Sequence, residues 1–269
     1  MPVCLSCNQS TVMEKQQIQR RQFLGAGAAT IGTLFLPTVA RSETKEEIPA
    51  AGLSAYVTES GHMLKGGLFL MGMLITKNQG AVHEKKFQQF RETYSYRSRL
   101  NYKDGDRYKV DFAKACIDYF ASNKRIGFIA YYQKQTDPSD MAEEGKVNQS
   151  KKQIRRAKVR LVKKMVNATG LNINKIIVKS QSPYGPSAKF KKNFTDETSY
   201  VLDAKDVRFG DDLLQFASFL GGCIYGDIQQ KTRNKTKLEL TNYLKEQLGV
   251  TSFDQPSVTV GNKLVLVEI

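Results

Sequence analysis

The sequence predicts an α/β protein whose mixed sheet is flanked by helices. Three observations carry that expectation. Two β-type apolar runs, Leu53–Val57 and Gly67–Thr76, open the body of the chain; strand-like runs of period two then alternate with helical stripes of period 3.6; and the last residues return to a hairpin pattern around Gly261–Asn262. No internal repeat is visible in the 269 residues.

Ahead of that body lies a segment of another kind. Arg20–Arg21 stands just before Phe23–Leu24, and Gln22 to Ala40 carries no charge. The stretch is rich in Gly and Ala and ends in Pro37 and the small-residue site Thr38–Val39–Ala40, before Arg41. This resembles a bacterial twin-arginine signal, whose translocase moves folded proteins. The uncharged run is too short and too interrupted by glycine to cross about 30 Å of hydrocarbon. The expectation is a signal at residues 1–40 cut after Ala40, a twin-arginine translocase as transient partner, and a periplasmic or extracellular product with no transmembrane segment. Residues 41–51 read as a linker, 52–249 as the main domain and 250–269 as a C-terminal hairpin extension.

Removing residues 1–40 takes away Lys15, Arg20, Arg21 and Glu14, so a formal charge of +15 becomes +13. That balance suits a polyanion, whether nucleic acid, anionic lipid or acidic glycan, although solubility alone also accounts for basic chains. Cys4 and Cys7 leave with the signal. Cys116 and Cys223 sit in apolar helix-like stretches and read as buried small hydrophobes, with a disulfide as the alternative.

Along the body, Ser60–Gly61 and Gly66–Gly67 separate the first two strands. Glu84 to Arg99 carries Phe87, Phe90 and Tyr94 at helical spacing, and Lys103–Asp106 supplies a turn whose Asp106 caps a helix from Arg107 to Ser122. Ile126 to Tyr132 alternates as a third strand, and residues 133–149 read as loop. From Lys146 to Lys164 there are nine Lys or Arg and no acid, while Ile154, Ala157, Leu161, Val162, Met165 and Val166 trace an apolar stripe. This is an amphipathic cationic helix. Lys152, Arg155, Arg156, Arg160, Lys163 and Lys164 occupy the remaining surface as candidate polyanion contacts, or as an ordinary solvated face. Asn174–Lys179 and Tyr200–Leu202 read as further strands. Leu213–Ile224 and Asn234–Leu248 read as helices, the second stopped by Gly249, and Val258–Val260 with Lys263–Ile269 as the closing hairpin.

Tyr56–Val57–Thr58–Glu59–Ser60–Gly61 resembles the Tyr-x-Asp-Glu-Ser-Gly opening strand of the domain of unknown function 3800 family. Leu214 to Gly222 is similar to that family's Leu-Gln-Leu-Ala-Asp-Leu-x-Ala-Gly helix. Arg99–Tyr102 takes the place of a Glu-Leu-Lys-Trp segment, and Ile176–Lys179 that of a strand ending in Asp. The resemblance implies a ribonuclease-H-like fold and, in its usual form, carboxylates converging on divalent metal. Here the matching positions hold Thr58, Arg99 or Asn101, Lys179 and Ser218, none of them an acid. Arg99 and Lys179 would repel a cation.

The expectation is therefore an exported ribonuclease-H-like domain without the usual metal-dependent nuclease centre, binding nucleic acid or another polyanion through a basic face and needing no cofactor. One alternative is an active metal-dependent phosphodiester hydrolase, with magnesium held by relocated acids and Glu59 and Asp212 as catalytic candidates. The other is a periplasmic interaction protein. The acids Asp211–Asp212 also suit a helix start on their own account, and His62 is a surface histidine or a base in a metal-free reaction.

Overall fold

The computed structural model describes residues 53–61, 67–77, 80–102, 110–135, 147–179, 201–205, 211–230 and 232–269. The signal, the linker, His62 and Asp106 lie outside these residues. In chain order the elements are β1 Leu53–Gly61, β2 Gly67–Thr76, α1 Ala81–Thr93, α2 Val110–Ser122, β3 Ile126–Gln135, α3 Val147–Thr169, β4 Ile173–Lys179, β5 Val201–Lys205, α4 Asp212–Gln229, α5 Lys235–Leu248, β6 Ser257–Val260 and β7 Leu264–Glu268.

The strands form one sheet in the order β5-β4-β1-β2-β3-β7-β6. β1, β2 and β3 pair antiparallel, β4 runs parallel to β1 and β5 parallel to β4. That 3-2-1-4-5 order, with its mixed orientation, is the ribonuclease-H-like sheet the sequence led us to expect. The closing hairpin extends the same sheet, because β7 pairs parallel to β3.

Alternation along the strands builds two apolar layers. Tyr56, Leu70, Leu74, Phe128, Ala130 and Tyr132 face one side and join Phe87, Phe112, Phe216, Phe219 and Leu244 of α1, α2, α4 and α5. Ala55, Val57, Phe69, Met71, Met73 and Ile129 face the other and meet Val159, Val162, Met165 and Val166 of α3. α4 is buried on nearly every side, as its continuous apolar sequence requires.

Several boundaries differ from the sequence reading for local reasons. β1 runs on to Gly61 because Thr58 to Gly61 pair with Gly72 to Phe69. Gly61 has φ 82°, and a Cβ there would strike the Leu68 carbonyl oxygen at 2.1 Å. The helix expected to reach Arg99 stops at Thr93. Tyr94 closes it and Ser95 takes φ 49°, and Arg91 Nη1 then donates to the carbonyls of Tyr96 (3.3 Å) and Ser98 (2.7 Å), which fixes the segment beyond. Residues 147–149, read as loop, belong to α3. α5 begins where expected: Asn234 Oδ1 accepts from the Lys237 backbone N–H at 3.0 Å, and Gly249 ends it at φ 67°. Cys116 and Cys223 are buried free thiols, with burial raising both pKa values.

His83 ties α1 to its neighbours. It is buried, and its Nε2 lies 3.2 Å from the Lys77 carbonyl, which only an N–H can satisfy. Nδ1 is then the acceptor for Tyr119 Oη at 2.8 Å. Burial holds its pKa below the ordinary 6.5, so the unfolded chain takes up a proton in acid before the folded one does. Stability present above pH 6.5 is lost as pH falls through that value towards the lower folded pKa. We expect the melting temperature to drop between pH 7 and pH 5 and His83→Gln to show a shallower drop. Circular dichroism melts across that range check it; an unchanged slope in the variant contradicts it.

Candidate functional site

β1 is the pivot of the site. It lies between β4 and β2, and its side chains alternate between the α4 layer and the α3 layer. Thr58 therefore follows Tyr56 to the α4 side, where it is 2 % exposed. Thr58 Oγ1 lies 2.8 Å from Ser218 Oγ, with either hydroxyl able to donate. Gly221 of α4 faces this contact, and a Cβ there would sit at ordinary packing distance, 3.6 Å from Thr58 Cγ2 and 3.8 Å from Ser60 Oγ. Two positions singled out 160 residues apart thus meet directly.

Lys179 is placed by register. β1 and β4 pair through Val57 and Val178, so position 179 is the next on β4 beside the level of Thr58. Arg99 and Asn101 belong to a segment laid along α4. Arg99 is exposed, and its carbonyl accepts from Tyr96 Oη at 2.8 Å. Leu100 N donates to Gln215 Oε1 at 2.8 Å, and Tyr102 rests on Gly222, where a Cβ would lie 2.5 Å from its own Cβ.

The two candidate catalytic acids are not brought together. Glu59, one residue beyond Thr58, points to the opposite face, where its Oε2 forms an ion pair with Lys158 of α3. Their side chains are 13 % and 4 % exposed. Burial lowers the Lys158 pKa, and the Glu59 carboxylate opposes that shift. Asp212 lies on the α4 side, in the first turn of that helix. Arg91 Nε donates to its Oδ1 at 2.7 Å, and Arg91 Nη2 lies 2.6 Å from the same oxygen. Nη2 also donates to Gln215 Oε1 at 3.1 Å, and the guanidinium lies 5.3 Å from the rings of both Tyr96 and Phe112. Asp212 Oδ2 is buried with no hydrogen-bond partner among the described residues. The expectation that Asp211–Asp212 serve the free amides of α4 is corrected in detail: Asp211 makes no side-chain cap bond, and Asp212 is engaged by Arg91.

These residues do not fit magnesium. The ion demands hard, mostly anionic oxygen ligands in near-octahedral order, and Thr58 and Ser218 offer neutral hydroxyls engaged with each other. Among the described residues no three His, Cys, Asp or Glu side chains cluster as a metal site.

The second candidate surface is the outer side of α3. Arg156, Arg160 and Lys164 are exposed and Lys163 is half-buried. Lys152 and Arg155 lie on α3, but their side chains are outside the described residues. Among the described residues none of the four described cations makes an ion pair; Lys164 Nζ lies 5.3 Å from the Tyr131 ring.

Sequence reasoning missed Arg91 and Lys158. Lys158 had a usable signal: it falls three and four residues before Leu161 and Val162, on the apolar stripe rather than the cationic one. Arg91 had none, because its partners are 121 and 124 residues away.

No family model matches the chain, and no curated protein matches it. Among solved structures it is similar to ribonuclease H2 from Pyrococcus horikoshii OT3, with 12 % identity, 75 % of this chain and 90 % of that chain covered, and a TM-score of 0.42. It is also similar to ribonuclease HII from Archaeoglobus fulgidus, with 12 % identity, coverage of 73 % and 77 %, and a TM-score of 0.38. Likeness at this level assigns no activity. The fold rests on the strand order and orientation described above, and it is ribonuclease-H-like.

The Arg91–Asp212 pair should behave as a buried structural pair. We expect Asp212→Asn or Arg91→Met alone to cost about 3–5 kcal/mol, because each leaves one buried charge without its partner. Arg91→Met combined with Asp212→Asn should cost less than the sum of the two single changes. Urea unfolding of the four proteins checks this, and strict additivity would refute it.

Proposed function

We propose that this protein is an exported, ribonuclease-H-like binding protein that holds a polyanion on the basic face of α3 and lacks the metal-dependent nuclease centre of its kind. The observation that carries the reading is the run of cations at Arg156, Arg160, Lys163 and Lys164, which make no ion pair among the described residues of a chain with formal charge +15. The Thr58–Ser218 contact supports the loss of the metal centre, since hydroxyls stand where the resemblance to the domain of unknown function 3800 family calls for acids.

Chemically, the arrangement supports binding rather than bond cleavage. Phosphodiester hydrolysis on this fold needs one ion to ready a water and another to stabilise the leaving oxygen. The two candidate carboxylates do other work: Glu59 holds Lys158 and Asp212 holds Arg91. Guanidinium and ammonium groups on α3 retain their attraction for phosphate or sulfate, and release of condensed counterions supplies the driving force.

Binding of the full chain to heparin or a DNA duplex, followed by fluorescence anisotropy, tests this. With three or four phosphates neutralised, the slope of log K against log salt should be about −3 to −4. No strand cleavage should appear with magnesium or manganese. Metal-dependent cleavage that Glu59→Ala or Asp212→Ala abolishes would restore the hydrolase reading, and salt-independent binding would remove the polyanion reading.

Export rests on Arg20–Arg21 and the uncharged stretch behind them. We expect Arg20→Lys with Arg21→Lys to leave the full-length chain inside a producing bacterium, read as loss of the shortened form from the periplasmic fraction.

A further inference from the structure

We propose that the partner of the α3 face is a planar surface of anionic lipid headgroups, on which the protein sits peripherally. This rests on the polyanion reading above and names the partner for it. Arg156, Arg160 and Lys164 recur every four residues, so they stand about 6 Å apart along the helix. Lys163 lies beside them, and Asn167 continues the exposed side. α3 has no acid anywhere in its 23 residues.

Shape chooses among polyanions. α3 covers one face of the sheet, and its apolar side is turned inward through Val159, Val162, Met165 and Val166. The described cations therefore line the side of the helix turned away from the sheet. Single-stranded nucleic acid is held in grooves where rings stack on bases. Among the described residues the ring that meets one of these cations, Tyr131, is 4 % exposed and lies beneath Lys164. A plane of headgroup phosphates reaches all four cations at once and needs neither groove nor ring.

The mode of attachment follows from what this side lacks. The exposed large hydrophobic residues among those described are Val82, Leu238 and Ile269, none of them on α3. Interfacial helices that insert do so through an exposed apolar face, and this helix spends its apolar face on the sheet. Among the described residues no helix is long and apolar enough to cross a membrane. Attachment is electrostatic and reversible, with each cation contributing roughly fivefold and four together several hundredfold.

The test is co-sedimentation of the full chain with phosphatidylcholine vesicles with and without phosphatidylglycerol, at low and high salt. We expect binding only to the vesicles containing phosphatidylglycerol, reversed by salt. The variant Arg156→Gln/Arg160→Gln/Lys163→Gln/Lys164→Gln should lose it at least about a hundredfold, with its melting temperature recorded alongside. Arg156→Lys/Arg160→Lys keeps the charge and should retain binding, which separates charge from folding. Equal binding to neutral vesicles, or full binding by the glutamine variant, overturns the proposal. Binding to heparin or duplex but not to vesicles overturns it while leaving the polyanion reading standing. Binding to none of the three overturns both.

Discussion

The constraint on which the molecule depends is the two-residue alternation of β1 at the middle of the sheet. β1 is covered on both faces, so each successive side chain enters a different layer. Thr58 goes to α4 and Glu59 to α3, although they are neighbours in sequence. A slip of one residue would put the Glu59 carboxylate under Ser218 and the Thr58 hydroxyl under Lys158, stranding a buried ammonium. Apolar partners on both faces, Tyr56 on one and Ala55 and Val57 on the other, hold the register against that slip.

Among the described residues each layer also contains a buried charge pair, Arg91–Asp212 in one and Lys158–Glu59 in the other, and each pair joins distant parts of the chain. Arg91 gathers the end of α1, the Tyr96–Ser98 backbone, Asp212 and Gln215, so the segment after α1 is pinned against the start of α4. Lys158 pins α3 to the end of β1. Such pairs are weak sources of net stability, because desolvation offsets most of their attraction, yet removing one partner is costly. Their effect is to fix where the helices sit. They also engage the two carboxylates singled out in the sequence as catalytic candidates, so an acid's presence near β1 or α4 in the sequence says little about chemistry.

Period explains what could be read from the sequence and what could not. The strands and α4 were legible because runs such as Gly67–Thr76 and Leu213–Ile224 carry strong apolar patterns, and α5 because Asn234 and Gly249 mark its ends. α1 was misjudged at its end, where Ser95 takes φ 49° and Arg91 holds the carbonyls of Tyr96 and Ser98 with no glycine or proline to mark the stop. The meeting of Thr58 with Ser218 was anticipated only through the family resemblance; no local pattern brings two hydroxyl residues 160 positions apart into contact. Glu59 was treated as part of that site by adjacency in sequence, and alternation sends it elsewhere.

α3 carries no acid in its 23 residues, whereas each of the other helices carries at least one. Lys114 of α2 pairs with Glu239 of α5, and Lys245 of α5 pairs with Asp227 of α4, so those cations are balanced where they stand. A face that served solubility alone would gain from interspersed signs, which remove self-repulsion while keeping the surface hydrated. α3 instead repeats like charges at i and i+4, an arrangement that destabilises a helix by a few tenths of a kcal/mol per pair. The cost is met by the apolar stripe beneath and by the Lys158 anchor. A local rule broken on a well-packed scaffold, without compensation inside the described molecule, is the expected trace of an external partner of opposite charge. The hydroxyl pair at Thr58 and Ser218 lies on the far side of the sheet from that surface, so binding at the basic face and chemistry at the hydroxyl pair are separate questions, each with its own test.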